Sequence, residues 1–201
     1  MFDKAIQHAL RPAMARAARG LVRIGVGANA ISVTGFAIGM AAAGAIALQQ
    51  YLPGLALLLL SRLCDGLDGA VARATQPTDR GGFLDITLDF LFYAAIPLGF
   101  AVADPASNAL PAAVLLAAFI GTGSSFLAFA AVAEKRQLQS VAFPDKSFYF
   151  LGGLTEATET IVAFAAMCLW PQWFPQIAYG FAVLCGITTV LRIGWGYKAF
   201  R

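Results

Sequence analysis

The chain is expected to be an all-α membrane protein, with six transmembrane helices preceded by an N-terminal amphipathic helix lying in the membrane interface. Three observations predict this. Hydrophobic residues make up 59% of the 201 residues and charged residues only 12%, whereas an ordinary soluble domain carries about 25% charge. Six stretches, near 29–49, 52–74, 81–103, 108–132, 149–170 and 174–194, have the roughly 20 mostly apolar residues that a spanning helix needs. Every Lys and Arg falls on one side of the arrangement these spans impose. The composition excludes a soluble enzyme of this size, which could not coat its surface with charge, and excludes disorder, which needs the opposite balance. The chain reads as one domain over 1–201, with the interfacial helix in 1–25 and a six-helix bundle in 29–194.

The first element is polar on one side only. Phe2, Ile6, Leu10, Met14, Ala17, Leu21 and Ile24 recur at three- and four-residue spacing and share one helical face. Lys4, Arg11, Arg16, Arg19 and Arg23 fall opposite them. These cations interrupt any signal-peptide core. They suit a helix lying on an anionic leaflet, each adding roughly 1 kcal/mol of attraction.

The spans then alternate across the membrane. Of the 14 basic residues, five lie in the N-terminal helix. Arg62, Arg73 and Arg80 flank the junction of spans 2 and 3, while Lys135, Arg136 and Lys146 lie between spans 4 and 5. Arg192, Lys198 and Arg201 end the chain. The opposite connections, Tyr51–Gly54, Asp104–Asn108 and Pro171–Gln176, carry no basic residue. By the positive-inside rule both termini are cytoplasmic. Tyr51, Pro53, Trp170 and Trp173 then mark the outer interface. The net charge of +3 is spent on this orientation and implies no nucleic-acid partner. Cys64, Cys168 and Cys185 lie in apolar runs without paired spacing and read as buried thiols.

Four of the 11 acidic residues crowd around the junction of spans 2 and 3. Asp65 and Asp68 are three apart near the end of span 2; Asp85 and Asp89 are four apart near the start of span 3. Each pair shares a helical face. Antiparallel packing of the two spans, reversed through Thr75–Gly81, brings the faces together. A carboxylate at mid-membrane costs about 2.5–3.5 kcal/mol on insertion scales. Four together cannot all stay ionised without cations. Oxygen ligands favour hard divalent ions, and two such ions about 3.5–4 Å apart suit phosphoryl transfer. Gly66, Gly69, Ala70, Ala72, Gly81 and Gly82 leave room around the acids, and Arg73 offers a guanidinium to a diphosphate. A salt-bridged helix hairpin and a cation-transport path remain open on spacing alone.

The segment Asp65-Gly66-Leu67-Asp68-Gly69-Ala70-Val71-Ala72-Arg73, followed by Gly81, Asp85 and Asp89, fills every fixed position of a known signature. It resembles the CDP-alcohol phosphatidyltransferase family, D-x-x-D-G-x-x-A-R followed by G-x-x-x-D-x-x-x-D. Ala28-Asn29-Ala30-Ile31-Ser32 looks like the family's P-N-x-L-T entry to span 1, with Ala28 and Ser32 as departures. The likeness implies transfer of a phosphatidyl group from a CDP-linked lipid to an alcohol acceptor, with release of CMP, in phospholipid biosynthesis. It implies Asp65, Asp68, Asp85 and Asp89 as ligands of Mg2+ or Mn2+, two ions in all, with Asp89 also as the base. It implies Asn29, Ser32, Asp65, Asp68, Gly69, Ala72, Arg73 and Gly81 at the CDP moiety. It also implies a homodimer in a bacterial inner membrane.

The acceptor side is less marked. Lys146, Glu156 and Arg192 are the candidates. Glu156 and Glu159 share a face at the start of span 5, where acid in a membrane helix points to a site or to a structural partner such as Arg192. Two carboxylates with few cations suit a neutral or cationic acceptor. Gly121, Thr122, Gly123, Ser124 and Ser125 in span 4 suit close helix packing. Two other functions carry weight: an isoprenoid-diphosphate prenyltransferase and a divalent cation transporter. The first usually separates its acidic motifs widely, and the second lacks carboxylates leading to the outer side.

Overall fold

The computed structural model describes residues 3–136 and 155–201, with side chains from Pro12 onward. Its described elements are helices: α1 (Asp3–Arg23), α2 (Ala28–Ala47), α3 (Tyr51–Ala74), α4 (Asp79–Ala103), α5 (Pro105–Lys135), α6 (Ala157–Leu169) and α7 (Phe174–Ala199), with a 3₁₀ turn at Pro171–Trp173 before α7. The limits of α2, α3, α4 and α5 fall within a few residues of those expected from hydropathy, whereas α7 runs on to Ala199 and α6 begins only at Ala157, with Thr155 and Glu156 outside the helix. Four stretches are long and apolar enough to cross a membrane: α2, α4, α5 and Pro171–Ala199, the 3₁₀ turn with α7. The 24-residue α3 is interrupted by Arg62, Asp65, Asp68 and Arg73, and the apolar α6 has 13 residues. Length and composition therefore support four of the six expected spans. Lys146 and the start expected for span 5 lie outside the described residues.

Small residues decide how the helices approach. The buried stripe of α2 is Ile31, Gly35, Gly39, Ala42 and Ile46, repeating every three or four residues as one helical face. A β-carbon on Gly35 would stand 2.8 Å from Cβ of Cys64 in α3. One on Gly99 of α4 would stand 2.7 Å from the carbonyl oxygen of Ala43 in α2. Such close approaches are how helices associate where lipid removes the hydrophobic drive. As a result α2 packs extensively along both α3 and α4. The expected direct packing of α3 on α4 is corrected here. The chain reverses between them, but α2 joins them, and a cleft opens where the two diverge.

The core packs against the upper part of α2's stripe, where Ala42 and Ile46 join it. Phe92, Ile96 and Phe100 of α4, Leu58 of α3, Leu115 of α5, Phe164 and Met167 of α6 and Phe174 at the start of α7 are fully buried together. Phe100 stacks on Phe174 with ring centroids 4.6 Å apart. The three cysteines are free; Cys168 and Cys185 are buried as expected, whereas Cys64 is only half-buried. Large apolar side chains such as Leu63, Leu91, Ile120, Val183 and Val190 are exposed around the bundle, where a membrane would cover them. Trp170 and Trp173 are exposed at one end.

Two further expectations are settled by packing. The helix α1 seats Met14, Ala18, Leu21 and Val22 around Ile31 of α2 and Ala70 and Val71 of α3. The buried face is thus centred on Ala18; Ala17 and Ile24, expected on it, are exposed, as are Arg16, Arg19 and Arg23. The small residues of span 4 pack within the chain: Gly121 faces Thr189 of α7, and Gly123 faces the Phe90 ring of α4.

Candidate active site

The cleft between α3 and α4 has α2 as its floor. Ser32, Gly35 and Phe36 line it from α2; Ser61, Arg62, Asp65 and Asp68 from α3; Asp85, Leu88 and Asp89 from α4. All four aspartates singled out in the sequence therefore meet. Helix α4 is aimed by its cap: Thr78 accepts a hydrogen bond from the Gly81 amide at 3.1 Å, which fixes the first turn and sets Asp85 and Asp89 on successive turns of the cleft face.

The aspartates are not equivalent. One carboxylate oxygen from each of Asp65, Asp68 and Asp85 lies within 4.8 Å of the others. Asp68 is 5% exposed, and its Oδ2 is buried without a hydrogen-bond partner among the described residues. A buried acceptor of this kind needs a partner. An all-oxygen donor set of three carboxylates fits a hard divalent cation such as Mg2+ or Mn2+. Asp89 is not one of that trio, and Arg62 donates to its Oδ1 at 2.6 Å. The same Nη1 is 3.6 Å from Oδ1 of Asp65.

The CDP-side candidates form small groups beside the cleft. A β-carbon on Gly81 would lie 3.2 Å from Oδ1 of Asn29, so the starts of α2 and α4 converge there. A β-carbon on Gly69 would lie 3.1 Å from a guanidinium nitrogen of Arg73, which bends back over that glycine. Ala72 is half-buried one turn beyond Asp68, and Ser32 lies on the cleft floor. Arg73 itself is exposed and so is open to an anionic ligand.

Of the acceptor-side candidates, Glu156 and Arg192 do not line this cleft. Arg192 is 9% exposed and donates to the Thr122 carbonyl at 3.0 Å, tying α7 to α5. Glu156 caps α6, and its backbone amide donates to the Glu159 carboxylate at 3.1 Å in a reciprocal capping box. Satisfying the first amides of a helix explains the paired acids on local grounds. Glu156 is also an electrostatic neighbour of Arg192. Sequence reasoning noted Arg62 only as a nearby charge and missed its place in the cleft. The signal was present: Arg62 precedes Asp65 by three residues and so shares its helical face.

This geometry is that of an acidic, metal-competent cleft in an apolar helical bundle, and residues 26–191 match the CDP-alcohol phosphatidyltransferase family. The chain belongs to that family. It is 51% identical over 201 residues, all of this chain and 98% of the relative, to the inner membrane protein YnjF of Escherichia coli K12. It is 46% identical over 78 residues, 38% of this chain and 40% of the relative, to the archaetidylinositol phosphate synthase of Methanothermobacter thermautotrophicus. Its fold is similar to the Mycobacterium tuberculosis phosphatidylinositol phosphate synthase crystallised with CDP-DAG bound. That match has a TM-score of 0.71 at 22% identity, covering 92% of this chain and 93% of that one. A second structure of the same enzyme, with manganese and citrate, has a TM-score of 0.71 at 22% identity over 92% of this chain and 88% of that one.

Proposed function

We propose that the protein transfers a phosphatidyl, or other substituted phosphate, group from a CDP-linked lipid such as CDP-diacylglycerol to the hydroxyl of an alcohol, releasing CMP. The observation that carries this reading is the convergence of Asp65, Asp68 and Asp85 within 4.8 Å in one cleft with Asp89. Family membership and the relatives' substrates favour it over prenyl transfer and over cation transport. The setting we infer is six spans with the N-terminal helix in the interface, both termini and the cleft on the cytoplasmic side of a bacterial inner membrane, and a homodimer.

The chemistry divides among the chain's own residues. Asp65, Asp68 and Asp85 would hold one or two divalent ions, with Asp89 a further ligand. Bound there, such an ion neutralises diphosphate oxygens and the charge of the leaving phosphate. Arg73 pairs with the diphosphate from above Gly69. Asn29, Ser32, Ala72 and Gly81 leave room for and contact the cytidine end. Asp89 accepts the proton of the acceptor hydroxyl. The hydroxyl oxygen forms the new bond to the lipid-linked phosphorus as the bond to the CMP oxygen breaks, and CMP leaves with that electron pair. Arg192, and Lys146 by its charge, are the acceptor-side candidates; the capping bonds of Glu156 make its part there indirect.

The direct test is CMP release by detergent-solubilised protein given CDP-diacylglycerol, Mn2+ and a panel of alcohols that includes glycerol 3-phosphate, inositol phosphate, inositol and serine. Metal-dependent release with one acceptor supports the reading and identifies the product lipid. Protein that neither binds CDP nor releases CMP with any acceptor overturns it.

A further inference from the structure

The cleft contains a cation of its own. Arg62 projects from α3 between the two acidic pairs, with its side chain 9% exposed and its Nη1 on Asp89 at 2.6 Å. Two other contacts hold it, and one of these is anchored in turn. The guanidinium carbon lies 3.7 Å above the centre of the Phe92 ring, a stacking geometry that favours Arg. Nη2 is 3.2 Å from Oγ of Ser61. Ser61 in turn donates to the Gly35 carbonyl at 2.8 Å, which anchors the pair to the floor helix α2. Phe92 is fully buried, so the surface on which the guanidinium rests cannot turn aside.

The consequence lies in how the charges are divided. Four carboxylates and one guanidinium line the cleft. Arg62 engages Asp89 at 2.6 Å and Asp65 at 3.6 Å. A divalent ion in the trio and the Arg62 guanidinium are therefore like charges that contend for shared carboxylates. A planar guanidinium fixes both the distance and the orientation of the carboxylate it holds.

We propose, on the footing of the transfer reading above, that Arg62 is a positioning residue. It is a resident cation, locked over Phe92, that holds and orients the Asp89 carboxylate and aims it at the acceptor hydroxyl. The role predicts opposite signs for two measurements that a merely structural residue would move together. Removing the charge takes away a competitor of the divalent ion, so metal binding strengthens. It also releases Asp89, so turnover falls.

The test uses Mn2+ titration followed by electron paramagnetic resonance, alongside CMP release, on the full chain. Arg62→Gln should bind Mn2+ about tenfold more tightly than the wild type while its turnover drops about a hundredfold. The loss should not multiply with that of Asp89→Asn, because both act on one carboxylate. Arg62→Lys keeps the charge without the fork; its Mn2+ affinity should stay within about twofold of wild type while turnover still falls. It is the deciding variant should Arg62→Gln fail to give monodisperse protein. Unchanged or weaker Mn2+ binding by Arg62→Gln overturns the proposal, as does wild-type turnover in Arg62→Lys, or rate losses that multiply in the double variant. A wild-type protein that neither binds CDP nor releases CMP with any acceptor overturns the transfer reading itself, and is thereby distinguished from failure of the Arg62 role alone.

Discussion

Gly39 of α2 lies directly against Phe92 of α4, so that a β-carbon on the glycine would stand 2.6 Å from Cδ2 of the ring and 2.9 Å from Oγ of Ser61. That contact couples the packing of the bundle to the chemistry of the cleft, because the same ring carries the Arg62 guanidinium at 3.7 Å. Gly39→Ala is expected to destabilise the protein by about 1–3 kcal/mol through overpacking, since buried Phe92 has nowhere to move. Thermal unfolding in detergent should show a lowered midpoint. Turnover should fall with it as the ring, and with it Arg62, is displaced. A variant that melts and turns over like the wild type would show that the α2–α4 approach is slack.

Asp89→Asn should fold and bind CDP as the wild type does but lose turnover about a hundred- to ten-thousand-fold, the range expected for removing a general base. Single-turnover CMP release alongside nucleotide-binding titration separates the two effects. Near-normal turnover would remove Asp89 from the proton-transfer role.

Arg73→Ala should raise the KM for the CDP-lipid about ten- to a hundredfold, the size of a lost charge-assisted hydrogen bond of about 1.5–3 kcal/mol. The Arg73 guanidinium bends over Gly69 and is exposed, so its loss should leave the unfolding midpoint nearly unchanged. Steady-state kinetics with varied CDP-diacylglycerol makes the measurement.

Asp68→Asn separates metal binding from folding. Without metal, Oδ2 of Asp68 is buried and unpartnered among the described residues, beside Asp65 and Asp85. Removing one of three crowded charges relieves like-charge repulsion. The metal-free variant should therefore melt at or above the wild-type temperature, while the stabilisation added by Mn2+ shrinks or disappears. Unfolding scans with and without Mn2+ check this, and an undiminished Mn2+ shift would place the ion elsewhere.

Glu156→Ala should lower stability by about 0.5–2 kcal/mol, as expected for a lost helix cap, and leave the KM of the acceptor unchanged. An acceptor KM that rises without loss of stability would instead assign Glu156 to the acceptor pocket.

Much of this architecture was legible along the chain. Local rules govern where a helix starts and stops, and the helix expected over 52–74 appears as Tyr51–Ala74, while that over 81–103 appears as Asp79–Ala103. The spacing of Asp65 with Asp68 and of Asp85 with Asp89 set each pair on one helical face, because the 3.6-residue period is a local property. The close-packing stripe of α2 through Gly35, Gly39 and Ala42 came to light only in the structure. That α2 joins α3 to α4, and so opens the cleft between them, depends on how small residues distant in sequence fit together. The same holds for α1, whose buried face turns on Ala18 because Ile31, Ala70 and Val71 receive it. Arg62 shows the boundary most sharply: its helical face followed from its number, while its hold on Asp89 depended on the Phe92 ring beneath it, the Ser61 hydroxyl beside it, and the third helix that keeps both in place.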